Sequence, residues 1–165
     1  MPITHTLVDS PVGELTLVAE DGKLTGLYFP HHWYRPDAAT FGDRDDAGFR
    51  TARRQLAEYF ARDRERFDLP LGPHGDAFEQ RVWERIGRIP YGRTVSYGEL
   101  AEELGSTSAK DAGAAVGRNP LCVIVPCHRV VGKDGSLTGY AGGLARKRFL
   151  LRLEEPPATD SGKLF

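Results

Sequence analysis

Cys127 lies in Val125-Pro126-Cys127-His128-Arg129-Val130, with an imidazole and a guanidinium beside it and the apolar run Leu121-Cys122-Val123-Ile124-Val125 before it. A thiol attacks as thiolate, which forms where a positive group, a base or oriented dipoles stand close by. His128 is a candidate base, although neighbours in sequence often point apart and adjacency alone establishes no contact. A histidine base also needs an acceptor on its second ring nitrogen. Glu154 or Glu155 supplies one if the last helical segment packs behind the cysteine. The blander reading is that a lone cysteine in an aliphatic run is more often inert core. Cys122 is the other of only two cysteines, and the pair fits neither a disulfide framework nor a common zinc spacing. His5, His31, His32 and His74 stand at no metal-like spacing from Cys127, so no metal is expected.

Holding such a thiol in place takes a core, and 165 residues at 40% hydrophobic composition are enough for one domain or two small ones packed together. No stretch approaches the roughly 18 apolar residues of a membrane span. The opening MPITHTLVDS lacks the basic and apolar regions of a signal peptide, so the expectation is a cytoplasmic chain with reduced thiols and no membrane partner. The first thirty residues read as strands, with Asp21-Gly22 as a tight hairpin turn. His31 to Asp46 reads as a loop. Phe49, Ala52, Leu56, Tyr59 and Phe60 recur at helical spacing, and FDLPL reads as one more short strand.

Leu71-Gly72-Pro73-His74-Gly75 is the candidate linker, which divides the chain into residues 1–71, residues 76–155 and a loosely held tail, 156–165. Beyond it the pattern is short helices. Asp76 with Glu79 and Ser96 with Glu99 are capping-box pairs, and Phe78, Val82, Trp83, Ile86 and Ile89 form a helix stripe. Gly105-Ser106-Thr107 turns the chain, and Ser108 caps AKDAGAAVG, which Asn119-Pro120 ends. Two short helices around a glycine turn make a helix-turn-helix candidate. Gly132 to Ser136 reads as a hairpin of the kind that forms a wing. The last helix offers Leu144, Phe149, Leu150 and Leu153 to the core.

The formal net charge of −1 hides an uneven distribution. Between Thr107 and Leu153 eight Lys or Arg face only Asp111 and Asp134, a surplus of six that drops to four when Glu154 and Glu155 are counted. A basic C-terminal half is the footprint of a face that binds a polyanion, set against the alternative of an ordinary solvated surface.

In combination, FEQRVWERIGRIPYGRTVSYGELAEELG, VGRNP and IVPCHRVVGKDGSLTGYAGGLARKRFLLRLE closely resemble the O6-alkylguanine-DNA alkyltransferases, strongly over residues 76–155 and more loosely before them. The resemblance implies an α/β (α+β) fold: an N-terminal ribonuclease-H-like antiparallel sheet with a helix, then a winged helix-turn-helix. It implies a monomer, with cooperativity on DNA left open, that flips O6-alkylguanine out of double-stranded DNA and moves the alkyl group irreversibly to a cysteine, without cofactor. Carried over, Cys127 is the acceptor, His128 its water-bridged base, Glu154 the group orienting His128, and Asn119 the brace of the turn. Tyr97 donates a proton or hydrogen bond to the departing guanine. Tyr140 and the backbone around Val130 and Ala141 line the base pocket, and Ala109, Lys110 and Arg129 meet the DNA.

Two departures from the family pattern stand out. Lys110 occupies the place of the usual arginine of the recognition helix and lacks its planar fork. With Asp111 beside it, weaker or more salt-sensitive DNA binding is expected. Cys122 stands where some relatives carry proline beside the alkyl pocket, and reads as inert pocket lining, with a secondary reactive thiol as the alternative. Three other readings compete: a sensor that binds alkylated DNA without transfer, a Cys-His hydrolase, for which no oxyanion hole is visible, and a transcription regulator, which leaves the PCHRV segment without a purpose.

Overall fold

The structure, a computed structural model, describes residues 2–105 and 109–156. Ser106, Thr107, Ser108 and most of the C-terminal tail therefore lie outside the described residues. Strands β1 (Ile3–Val8), β2 (Leu15–Glu20) and β3 (Lys23–Tyr28) form an antiparallel meander, and β4 (Asp43–Arg44) pairs in parallel with β1. Asp21 (φ 55°) and Gly22 (φ 79°) make the β2–β3 turn, as their residue types predict. On one face of the sheet Leu15, Leu17 and Leu27 join the main core, and on the other Val18 and Tyr28 pack with Phe41.

The segment read as a plain loop, His31 to Asp46, is more ordered than expected, because Ala38–Phe41 coils into a 3-10 turn that brings Phe41 under the sheet. Helix α1 (Arg50–Phe60) buries Ala52, Leu56 and Tyr59. FDLPL is not a strand: Leu71 makes a single bridge to Leu24 at the sheet edge, and two prolines nearby leave few amide donors for a ladder.

In the second half, α2 (Ala77–Ile86) and α3 (Tyr97–Glu103) start at complete capping boxes. Asp76 Oδ1 accepts from Glu79 N–H at 2.7 Å and Ser96 Oγ from Glu99 N–H at 3.1 Å, each answered by the glutamate side chain. Helix α4 (Ala109–Gly117) buries Ala112, Ala115 and Val116 against α2 and α3, and Trp83 Nε1 donates to Ala115 O at 2.9 Å. Gly132 to Ser136 is a tight closed loop, Gly132 N–H to Ser136 O at 2.7 Å, and not a paired hairpin. The strand before it, β6 (Val130–Val131), pairs instead with β5 (Val95–Ser96), in parallel.

Helix α5 (Leu144–Leu153) turns Lys147, Leu150 and Leu153 inward, at a spacing of three residues. Leu144 and Phe149 fall off that face and stay 42% and 37% exposed, contrary to the expectation that both enter the core. No helix among the described residues is long and apolar enough to cross a membrane.

Candidate active site

The chain after α4 is built to hold Cys127 still. Asn119 braces the turn from inside: its Nδ2 donates to Val125 O at 2.9 Å and its Oδ1 accepts from Leu121 N–H at 2.9 Å. Between these bonds Ile124 N–H reaches Cys122 O at 2.9 Å and Cys127 N–H reaches Val125 O at 2.7 Å. Val123 takes φ 74° there, a left-handed conformation that β-branched residues avoid. Strain of this kind, about 1–3 kcal/mol, persists only where the surroundings over-determine the backbone. Burial of Val123 and the Asn119 brace do so here. The β5–β6 pairing then ties the residues after the cysteine to the start of α3, which carries Tyr97.

Beneath the turn His128 Nε2 meets Glu154 Oε2 at 2.7 Å, both side chains fully buried. Burial pushes His128 below its ordinary pKa against the pull of Glu154, so the neutral ring donates from Nε2. Its Nδ1 is left as an acceptor with no protein partner among the described residues. Burial raises the Glu154 pKa, but hydrogen bonds from His128 and Arg129 overcome this and bring it to about 2. Arg129 grips both carboxylate oxygens at 2.8 Å, and Tyr59 O–H from α1 donates at 2.6 Å. No hydrogen bond joins Cys127 Sγ to the His128 ring among the described residues.

Cys127, 3% exposed, opens into a cavity of about 370 Å³. Its walls are Tyr97, then Ala109, Lys110, Gly113 and Val116 of α4, Tyr140 and Ala141, and Trp33 from the N-terminal loop. Small residues on α4 let the helix approach closely. Gly139 does the same for Trp33, whose ring edge lies 2.6 Å from where a Cβ on Gly139 would be. Lys147, fully buried, donates to Gly139 O at 3.3 Å with its Nζ 5.7 Å from the Tyr97 ring centroid. Burial lowers its pKa to about 8, opposed by the Cys127 charge. Cys127 itself is held below the usual thiol range by Cys122, Asn119 and Lys147, which together outweigh burial.

Residues 3–73 match the ribonuclease-like domain of 6-O-methylguanine DNA methyltransferase, and residues 77–156 match its DNA binding domain. The methylated-DNA–protein-cysteine methyltransferase of Mycolicibacterium paratuberculosis is 45% identical over 164 residues, 99% of each chain. The chain belongs to this methyltransferase family. A further member, from Haemophilus influenzae, is 40% identical over 160 residues, 96% of this chain and 89% of its own. The Mycobacterium tuberculosis protein solved in complex with DNA superposes with a TM-score of 0.87 at 45% identity, over 92% of each chain.

In this member of the methyltransferase family, Cys127, Tyr97, Tyr140, Ala141, Ala109 and Lys110 surround one cavity, with His128, Glu154 and Asn119 beneath it. Three expected roles do not fit. Arg129 is buried on Glu154 and on Ile89 O at 2.7 Å, and offers no charge to DNA. Val130 is a core residue of β6, absent from the cavity wall. Cys122 is fully buried behind Cys127 and does not line the cavity either.

The basic surplus shrinks accordingly. Arg129 and Lys147 point inward, while Arg146 binds Val12 O at 2.7 Å and covers the Phe29 ring. Four contributors went unread in the sequence: Trp33, His32, Tyr59 and Lys147. Only Lys147 carried a signal, because it stands two helical turns before Glu154 on the same face. The others come from the first half of the chain, where no local pattern shows what they reach.

Proposed function

We propose that this chain repairs double-stranded DNA by taking the alkyl group of a flipped-out O6-alkylguanine onto Cys127, once per molecule. The observation that carries the reading is the cavity, with the acceptor sulfur in it, the buried His128–Glu154 pair below and α4 of the helix-turn-helix along its rim. Residues 76–155 bind DNA and accept the group, and residues 1–71 support them. A reducing cytoplasm suits the thiol.

Neutral His128, its Nε2–H committed to Glu154, takes the Cys127 proton on Nδ1 through one bridging water. Buried Lys147 favours the thiolate left behind. The sulfur attacks the alkyl carbon, a C–S bond forms as the C–O6 bond breaks, and the electron pair leaves with guanine. Burial raises the Tyr97 pKa, so Tyr97 keeps its proton and donates a hydrogen bond to the departing ring. The apolar walls exclude water from the reacting centre.

Incubation with an O6-methylguanine duplex, followed by intact and peptide mass measurement, should show one added methyl, on Cys127. DNA binding with no mass gain would instead identify a sensor.

A further inference from the structure

Cys122 does not line the cavity, yet its sulfur lies 3.8 Å from the acceptor sulfur inside the same buried turn. Its own surroundings fix which way the hydrogens run. His32 Nδ1 accepts the backbone N–H of Phe29 at 3.1 Å, so the ring hydrogen is on Nε2. That Nε2 faces Cys122 Sγ at 3.8 Å. Burial, with Arg35 and Arg146 nearby, brings the His32 pKa to about 4, so the ring is neutral and holds this tautomer. Cys122 sulfur thus receives a hydrogen from His32 and directs its own elsewhere. Among the described residues Asn119 O and Cys127 Sγ are within reach as acceptors, each at 3.8 Å, while the Tyr140 hydroxyl interacts with the same thiol. A thiolate is the stronger of the two, because an ionised acceptor makes the stronger hydrogen bond.

We infer that Cys122 is a further catalytic residue, a thiol donor hydrogen-bonded to the Cys127 thiolate that sets how readily the acceptor sulfur ionises. The inference rests on Cys127 being the reacting nucleophile. Cys122 keeps its proton throughout. When Cys127 becomes a thioether, its sulfur accepts poorly and the Cys122 S–H turns to Asn119 O, so no buried donor is stranded. The directions of both thiols agree: the Cys122 hydrogen bond draws Cys127 down, and Cys122 is pushed well up by the same bond and by burial. This chain would therefore carry, as a side chain, a donor that a proline at the same place lacks.

Other titratable groups face the pair. Lys147 comes from α5, Tyr97 from α3 and Tyr140 from the segment before α5. Tyr28 and His32 stand on the far side of Cys122, and His128 follows Cys127 in the chain. All of them are common to wild type and the variants below, so the difference between proteins isolates Cys122.

Iodoacetamide tests the idea without DNA, since it alkylates the thiolate and releases iodide. Its rate at Cys127 is followed against pH, with fragmentation of the 119–129 peptide separating the two cysteines in wild type. For Cys122→Ala the rate at about pH 6 should fall about tenfold, the equivalent of one hydrogen bond to a charged acceptor. At about pH 10 it should equal or exceed wild type, because a thiolate with a higher pKa is the stronger nucleophile. Cys122→Ser, which keeps a donor, should recover the acidic limb. A loss of equal size at every pH, or a serine variant that follows alanine, overturns the inference. A chain that took no methyl from DNA would still return these rates, so failure of the repair reading is seen separately.

Discussion

Glu154 accepts four hydrogen bonds, one from His128, two from the Arg129 fork and one from Tyr59. Its pKa, about 2 in the folded chain against 4.5 for a free glutamate, makes it a stability group with a definite window. A depressed carboxyl pKa stabilises fully above the unfolded value. The contribution is lost as pH falls from about 4.5 to about 2 and amounts to about 3 kcal/mol at most. Glu154→Gln should remove that acid limb from urea denaturation profiles. At neutral pH it should cost about 3–5 kcal/mol, because Arg129 is left buried without its counter-charge. A variant whose stability still declined between pH 5 and pH 2 as steeply as wild type would assign the limb to another carboxyl. Arg129 shows why a sequence charge does not locate a surface charge: its guanidinium is buried on Glu154. Sequence shows that a guanidinium stands two residues after Cys127, but its direction depends on Glu154, 25 residues from Arg129, being folded beneath it.

At the scale of elements, what was legible was local. The capping boxes at Asp76 and Ser96, the Asp21-Gly22 turn and the end of α4 at Asn119-Pro120 all depend on contacts within a few residues, and all appear where the spacing puts them. What was not legible was the pairing of short pieces distant in sequence. Strand β6 finds β5 rather than its own hairpin partner, and Leu121 of the cysteine turn bridges Leu27 on the sheet edge. Helix α4 lies between these cases. Its helical form and its small-residue face were readable, while the cavity it borders with Trp33 was not. Lys110, exposed at its N-terminal end, makes the helix testable. Lysine is a point charge without the fork of arginine. Lys110→Arg should therefore raise affinity for a duplex and make the binding less sensitive to salt. Titration at several salt concentrations measures both, and unchanged affinity would remove Lys110 from the DNA face.

For the whole molecule the two halves, residues 3–73 and 77–156, do not have separate interiors. One apolar core runs from Leu17 and Leu27 in the sheet through Leu56 and Tyr59 to Val82, Leu100 and Leu150. Backbone bonds cross it, from Leu27 N–H to Pro120 O at 2.8 Å and from Trp33 N–H to Ala141 O at 3.0 Å, and the Tyr59–Glu154 bond ties α1 to the end of α5. Units that share a core and buried hydrogen bonds lose both together, so unfolding should be a single transition. The chain carries its own probes, one tryptophan in each half, Trp33 and Trp83. In Trp33→Phe the fluorescence of Trp83 reports the second half, in Trp83→Phe that of Trp33 reports the first, and far-ultraviolet circular dichroism reports the whole. Within each variant the two urea midpoints should coincide. Adding Tyr59→Phe should lower them together, with a stability loss of about 1–3 kcal/mol for the lost bond to a buried carboxylate. Midpoints that separated would mean that the N-terminal half is a removable cover, in which case His32, Trp33 and Tyr59 could be deleted with it and the Cys127 site would keep its geometry. A shared transition means that the acceptor site exists only when both halves are folded.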